Sequence, residues 1–218
     1  MIQVAKFVFN PFQVNTYVLY DETGECVIID PGCADGVESL ELLDFINDKK
    51  LSVVRVLLTH THIDHVIGCN AIEELLNVSP EAHEAGMVFL DHSTSTAATY
   101  GLKLDRNPRV SKFINEGENI EFGNSTLEVF YTPGHADGSV CFYSRADGFV
   151  IVGDVLFQMS IGRTDFPSGD FDLLKKSIFE KLFVLPEETL VYSGHGPETS
   201  IGTEKDNNPF LMDDNIMY

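Results

Sequence analysis

The chain reads as an α/β protein of layered sheets and helices, and three observations predict this. Short runs rich in Val, Ile, Phe and Tyr recur along the 218 residues, and several end in Gly, Asp, Asn or Pro. Two segments between them carry apolar residues at helical spacing. Strands cluster first and then mix with helices, the order of a layered α/β architecture. Composition agrees: 44% hydrophobic and 22% charged residues, with a mean hydropathy near zero, describe a globular chain and not a disordered one. The length suits one substantial core, so a single domain over 1–218 is expected, with 202–218 a short C-terminal appendage.

In chain order the predicted strands are QVAKFVF, TYVLY, CVIID, VVRVLL, TLEVFY, VCFYS, FVIVGD and LVYSG. Segment 35–50, DGVESLELLDFINDKK, is predicted helical, with Val37, Leu40, Leu43 and Ile46 on one face. Segment 171–185, FDLLKKSIFEKLFVL, is predicted helical for the same reason. Segment 80–109 reads as helical at its start and then polar and irregular, suited to a flap over a site. The tail GTEKDNNPFLMDDNIMY reads as a short helix and then an extended end. No internal repeat, low-complexity tract or linker-like Pro/Gly/Ser run interrupts the chain.

Charge and composition exclude several classes of function. Fourteen Lys and Arg stand against 34 Asp and Glu, a formal net charge of -20. Nucleic acid and anionic membranes both need a basic footprint, and no Lys/Arg cluster is present to build one. The longest apolar runs, such as SVVRVLL and FVIVG, fall far short of the ~20 residues of a spanning helix. The N-terminal MIQVAKFVFNPFQVN lacks the pattern of a secretory signal. Cys26, Cys33, Cys69 and Cys141 form no CxxC pair and read as reduced, buried thiols, so a cytoplasmic protein is expected. A small-molecule substrate is the expected partner; the sequence leaves the oligomeric state open.

Four predicted strands run directly into metal-competent side chains: VVRVLLTHTHIDH, VFYTPGH, FVIVGD and LVYSGHG. Strand ends are where loops converge in layered α/β proteins, so these four points can meet although they are far apart in sequence. A site built from them would hold His60, His62, Asp64, His65, His135, Asp154 and His195. Residues i and i+2 of an extended segment point the same way, so His60 and His62 can grip one ion. A turn at Ile63 would then re-aim Asp64 and His65 at another. Imidazole and carboxylate suit zinc or non-haem iron, and a cluster without cysteine disfavours a purely structural thiolate site. An isolated histidine is usually a satisfied core or surface residue, and His83 and His92 stay in that class.

These motifs resemble the metallo-β-lactamase superfamily, whose THxHxDH signature stands here as THTHIDH at 59–65. TPGH at 132–135, GD at 153–154 and GHG at 194–196 match later motifs of that family, and the likeness spans nearly the whole chain. The resemblance implies an αββα sandwich with two divalent metal ions at one edge, zinc first, with iron and manganese as alternatives. It assigns His60, His62 and His135 to one ion, Asp64, His65 and His195 to the other, and Asp154 as the bridge. An aspartate at 154, where the di-zinc β-lactamases carry cysteine, argues against antibiotic hydrolysis. Within the superfamily, SIGRTDFPSGD at 160–170 and GHGPETSIGTEKDNNPF at 194–210 are similar to short-form glyoxalase II, hydroxyacylglutathione hydrolase.

Two features depart from that subgroup. Long-form enzymes carry a helical C-terminal domain with basic residues that hold glutathione, whereas Lys205 is the sole cation after Ile201 here. Where relatives commonly read TPGHTPGS, this chain reads TPGHADGS, placing the anion Asp137 beside His135. The expected activity is hydrolysis of a thioester such as S-lactoylglutathione by a metal-bridged hydroxide, with Asp64 as the orienting catalytic residue. A thiolate leaves without protonation, which suits a sequence with no evident general acid. Two alternatives stand beside it. One is a mononuclear iron persulfide dioxygenase using His60 or His62 with His135 and Asp154, since GRTDF at 162–166 is typical of those enzymes too. The other is a metal-binding protein without activity. Arg163 is a candidate substrate contact, or an ion-pair partner of Asp165 or Asp170, which is the simpler reading. Tyr100, with Phe89, is a candidate substrate contact from the flap, or a core aromatic.

Overall fold

A computed structural model describes residues 1–212. The first sheet runs in the order β1 (Gln3–Phe9), β2 (Val14–Tyr20), β3 (Glu25–Ile29), β4 (Ser52–Leu57), β5 (Pro80–Ala82) and β6 (Lys112–Phe113). Its first three strands pair antiparallel and the rest parallel. Helix α1 (Gly36–Asp48) links β3 to β4, α2 (Ile63–Val66) and α3 (Cys69–Leu76) link β4 to β5, and α4 (Met87–Leu90) and α5 (Ser93–Thr99) precede β6. The second sheet contains β7 (Asn119–Phe122), β8 (Ser125–Tyr131), β9 (Val140–Ser144) and β10 (Phe149–Gly153). A hairpin of β11 (Leu156–Phe157) and β12 (Ser160–Ile161) and helix α6 (Phe171–Ser177) follow, before β13 (Leu190–Ser193), β14 (Thr199–Ser200) and α7 (Ile201–Asn207). The order across this sheet is β14-β13-β10-β9-β8-β7.

The alternation of side chains explains why these strands are almost wholly apolar. In β9, Val140 and Phe142 face the core between the sheets, while Cys141 and Tyr143 face the outer layer. In β10, Phe149 and Ile151 point inward and Val150 and Val152 outward. Strand β3 repeats the pattern, Val27 and Ile29 inward and Cys26 and Ile28 outward. Both faces of each sheet are therefore covered, and a strand with no solvent face has no need of polar residues. Leu42, Ile46 and Ile72 of α1 and α3 cover the first sheet, and Leu174 of α6 and Ile201 of α7 cover the second. This is the expected αββα sandwich. The Phe142 side chain lies fully buried at its centre, and truncation of such a residue to alanine costs about 3–5 kcal/mol.

Three expectations need correction. Helix α1 buries Ser39, Leu42 and Ile46, whereas Val37 and Leu40 are 76% and 60% exposed. Its rotation is set at the N-terminus by polar contacts. Asp35 caps the Val37 and Glu38 amides, and the Glu38 carboxylate accepts from Asn10 N at 2.8 Å and Ala34 N at 2.7 Å. Segment 80–109 begins as β5, not as a helix, because Pro80 and Glu81 extend the parallel ladder of Val56 and Leu57. The helix over 171–185 is α6 followed by a π-helical turn at Ile178–Leu182, which brings Ile178, Leu182 and Phe183 onto the second sheet.

At the C-terminus, Ile201 and Leu211 are buried in the cluster over the second sheet. Residues 213–218 of the expected appendage lie outside the described residues. Among the described residues no helix is long and apolar enough to cross a membrane. The four cysteines are buried free thiols, and burial pushes Cys26 and Cys141 up to about 12.

Candidate metal centre

The ends of β4, β8, β10 and β13 open at one edge of the sandwich, and each delivers a side chain to one point. After β4 the chain stays extended through His62, the N-cap of α2 (φ -65°, ψ 154°). The single turn of α2 then reverses direction and aims Asp64 and His65 back at the same point. His135 follows β8 on a loop that packs tightly on α6. A Cβ at Gly134, whose φ is +128°, would lie 2.2 Å from Leu174 N. Asp154 follows β10, and His195 follows β13 after Gly194, where a Cβ would meet Asp154 Oδ1 at 2.1 Å. Only a residue without a side chain fits there.

All seven residues expected at the site are brought together. His60, His62 and His135 form one triplet, Asp64, His65 and His195 a second, and His60, His65 and Asp154 a third, each with donor atoms within 4.8 Å. Asp154 stands between the first two. Its Oδ1 lies 3.4 Å from His65 Nε2, and its Oδ2 lies 3.6 Å from both His135 Nε2 and His195 Nε2. Asp64 Oδ2 lies 3.2 Å from His195 Nε2 and 3.6 Å from His65 Nε2.

Four imidazoles are anchored from outside through Nδ1. His65 Nδ1 donates to Asp30 Oδ2 at 2.9 Å. The Thr59 hydroxyl, which donates to the same carboxylate oxygen at 2.6 Å, accepts from His60 Nδ1 at 3.2 Å. His135 Nδ1 donates to Arg163 O at 2.8 Å, and His195 Nδ1 to Phe12 O at 3.0 Å. Each arrangement leaves Nε2 unprotonated and directed inward, the tautomer a metal ligand requires, and at His135 that atom lies 3.1 Å from His62 Nδ1. His60 Nε2, His65 Nε2 and Asp154 Oδ1 are buried and find no hydrogen-bond partner among the described residues. Unsatisfied buried polar atoms cost about 1–3 kcal/mol each, and three converging on one point fit a bound cation. The donor set, five imidazoles and two carboxylates without a thiolate, fits divalent zinc, iron or manganese.

The electrostatics divide the centre in two. Burial pushes His60 and His62 down, His62 to about 4, and the neighbouring imidazoles push the same way, so these stay neutral. Burial also opposes charge on His65 and His195, but Asp64, Asp154 and, for His65, Asp30 outweigh it and raise both. Burial would raise the Asp64 and Asp154 carboxyls, yet the facing histidines hold both below the carboxylate range. The two carboxylates thus favour positive charge beside them, which a cation held through the bare Nε2 atoms would supply.

The centre forms the floor of a cavity of about 750 Å³ whose walls include Phe12, Val88, Phe89, Tyr100, Phe157, Ile161 and Phe166. Segment 80–109 supplies one wall through Val88, Phe89 and Tyr100, and both aromatic candidates therefore face the cavity and not the core. Arg163 also lines it, and its guanidinium is bound to Asp165 through Nε at 2.8 Å and Nη2 at 2.7 Å and stacked 3.7 Å over Phe166. Asp137 does not hydrogen-bond His135; its amide donates to Ser168 Oγ at 3.3 Å. His83 stacks on Tyr131 and stands apart from the centre, whereas His92 lines the cavity. Sequence reasoning passed over Asp30, which organises a ligand of each triplet. The signal was there, since CVIID is a strand ending in a carboxylate like the others.

Comparison with known proteins agrees with this geometry. The sequence model of the metallo-β-lactamase superfamily matches residues 9–195. A Bacillus subtilis protein named probable metallo-hydrolase YqgX is 39% identical over 203 residues, 92% of this chain and 93% of its own length. Hydroxyacylglutathione hydrolase GloC of Haemophilus influenzae is 34% identical over 207 residues, 92% of this chain and 93% of its own. Among solved structures, the BLEG-1 B3 metallo-β-lactamase superposes with a TM-score of 0.88 at 36% identity, covering 97% of this chain and all of that one. The di-iron-bound form of TTHA1623 gives 0.85 at 35% identity, covering 95% of this chain and all of its own. The chain belongs to the metallo-β-lactamase superfamily.

Proposed function

We propose that this chain is a metal-dependent thioester hydrolase. His60, His62 and His135 would hold one divalent ion, Asp64, His65 and His195 a second, and Asp154 would bridge them. Such ions, when bound, would supply a water acidified towards neutral pH and would polarise a carbonyl. The observation that carries the reading is the convergence of all seven donors at an apolar cavity, with His60 Nε2, His65 Nε2 and Asp154 Oδ1 buried and unpartnered among the described residues. The relative named hydroxyacylglutathione hydrolase supports a thioester as the bond attacked.

The chain's own residues divide the work. Asp64 Oδ2, 3.2 Å from His195 Nε2, faces the cavity and orients the attacking water by accepting its hydrogen. Asp30, Arg163 O and Phe12 O keep the histidines in register. The apolar walls exclude bulk water from the acyl group, which strengthens the electrostatic interactions around it. The water oxygen bonds to the acyl carbon and the C–S bond breaks with its electron pair on sulfur. A carboxylate, a thiol and one proton result. The departing thiol, ordinarily of pKa ~8.5, leaves as thiolate, so no general acid is required.

Metal analysis of protein purified without added metal, followed by a thioester panel, tests the proposal. About two ions per chain with turnover of acyl thioesters is the expected result. Two bound ions with every thioester left intact overturns it. Single-iron occupancy with oxygen uptake on glutathione persulfide would put an oxygenase in its place, and turnover of a β-lactam alone would do the same for an antibiotic hydrolase.

A further inference from the structure

We infer that the cavity selects an apolar or aromatic acyl group and takes little of its binding from the thiol carrier, so that doubly carboxylated glutathione is not specially recognised. This inference rests on the thioesterase reading and specifies its substrate.

The aromatic residues of the cavity pack directly around the centre and not at its rim alone. Phe89 and Phe166 meet the His62 ring edge-on with centroids at 4.9 and 6.0 Å. Phe157 lies 6.3 Å from the His195 ring. Phe12 and Tyr100 meet edge-on at 5.3 Å, and Val88, 53% exposed, lines the same cavity. Four of these come from different loops or helices, so the enclosure is built around the centre and is not one apolar strand face. An acyl group whose carbonyl sits at the centre has rings as its nearest neighbours. Phe89, Phe157 and Phe166 are half-buried, leaving part of each ring for a ligand to cover. Covering such surface raises affinity about fourfold per methylene.

The carrier finds no comparable reception. Glutathione brings two carboxylates, and Arg163 is the one Lys or Arg side chain among the described residues that line the cavity. Its Nε–Nη2 edge is on Asp165 and its face is on Phe166, which leaves the Nη1–Nη2 edge for an incoming anion. A carboxylate at that edge would share a charge that the Asp165 carboxylate already offsets, in an ion pair that is 55% and 68% exposed. Residues 213–218 include no lysine or arginine.

The experiment uses the metal-loaded full chain and measures kcat/KM for acetyl, lactoyl, hexanoyl and phenylacetyl thioesters, each on glutathione and on N-acetylcysteamine. Hexanoyl and phenylacetyl substrates are expected to exceed lactoyl on the order of 30-fold on either carrier. The two carriers of one acyl group are expected within about fivefold of each other, the most an exposed ion pair supplies. Phe89→Ala and Phe166→Ala should erase most of the acyl preference, chiefly through KM, while Phe89→Leu keeps it. Equal or reversed acyl preference overturns the inference, as does a glutathione advantage beyond fivefold in about every acyl class. Absence of turnover in both series removes the thioesterase reading as well, and is distinct from turnover with the wrong preference.

Discussion

Asp30→Asn is the substitution in which one atom matters most. The Asp30 side chain is 1% exposed and accepts from Thr59 N at 2.7 Å through Oδ1, and from Thr59 Oγ1 at 2.6 Å and His65 Nδ1 at 2.9 Å through Oδ2. An asparagine must keep its oxygen towards the Thr59 amide, because that N–H cannot reverse. Its NH2 then faces the Thr59 hydroxyl and His65, where a carboxylate oxygen stood. His65 must accept at Nδ1 and carry its proton on Nε2, facing the centre. The Thr59 hydroxyl must likewise turn its hydrogen to His60 Nδ1, 3.2 Å away, so that His60 Nε2 is protonated too. His60 and His65 both lose the inward lone pair, so every candidate triplet loses at least one donor. Losing such support costs about 10–100-fold in metal affinity, and two ligands lose it here. Backbone strain does not confuse the result, because Asp30 has φ 51° and asparagine tolerates that region well. The assay is zinc competition against a chelator, with a thermal melt beside it. Asp30→Ala, which strands three buried donors, should cost about 3–6 kcal/mol of stability. An Asp30→Asn protein that binds two ions as tightly as the parent would refute the proton arrangement deduced for the centre.

Three further outcomes are expected. Asp64→Asn should fold normally and lose activity by about 100-fold or more, measured as kcat on the preferred thioester. Gly134→Ala places a Cβ 2.2 Å from Leu174 N and 2.4 Å from its Cα, so backbone must move; about 2–4 kcal/mol of stability should go, with weaker metal binding through His135. Asp21 accepts from Thr23 N, Thr23 Oγ1, Asn124 N and Ser125 Oγ. Burial pushes its pKa up, but these donors outweigh burial and hold it at about 2 against the ordinary 3.8. A depressed carboxylate stabilises above its unfolded value, so the Asp21→Asn difference should be on the order of 1–2 kcal/mol at neutral pH. It should shrink as pH falls from about 4 to about 2, in denaturant melts across that range.

The candidate centre was legible in the sequence because its residues follow strands whose apolar runs end abruptly, as in LTHTHIDH and TPGH. Spacing allows His60 and His62 to point the same way, and the turn that follows re-aims Asp64 and His65. The doubly covered strands were legible for a related reason, since β9 and β10 have no polar face to blur the run. What was not legible depends on partners distant in the chain. The rotation of α1 is set by Glu38 reaching Asn10, and no periodicity within 35–50 records that contact. Strand β5 is three residues long and exists because β4 offers it a ladder. The cavity walls come from the β1–β2 turn, α4, the end of α5, the β11 hairpin and the 163–167 loop. Each contributes a single Phe or Tyr, too few in any one segment to make a pattern.

The most direct test combines two readings on one sample: metal content per chain, and hydrolysis of S-phenylacetyl-N-acetylcysteamine before and after chelation. The expected result is about two divalent ions, steady thiol release, loss of that release on chelation and its return with added zinc, iron or manganese. A protein that holds both ions and releases no thiol from this or any other thioester would contradict the proposed function while leaving the metal centre standing.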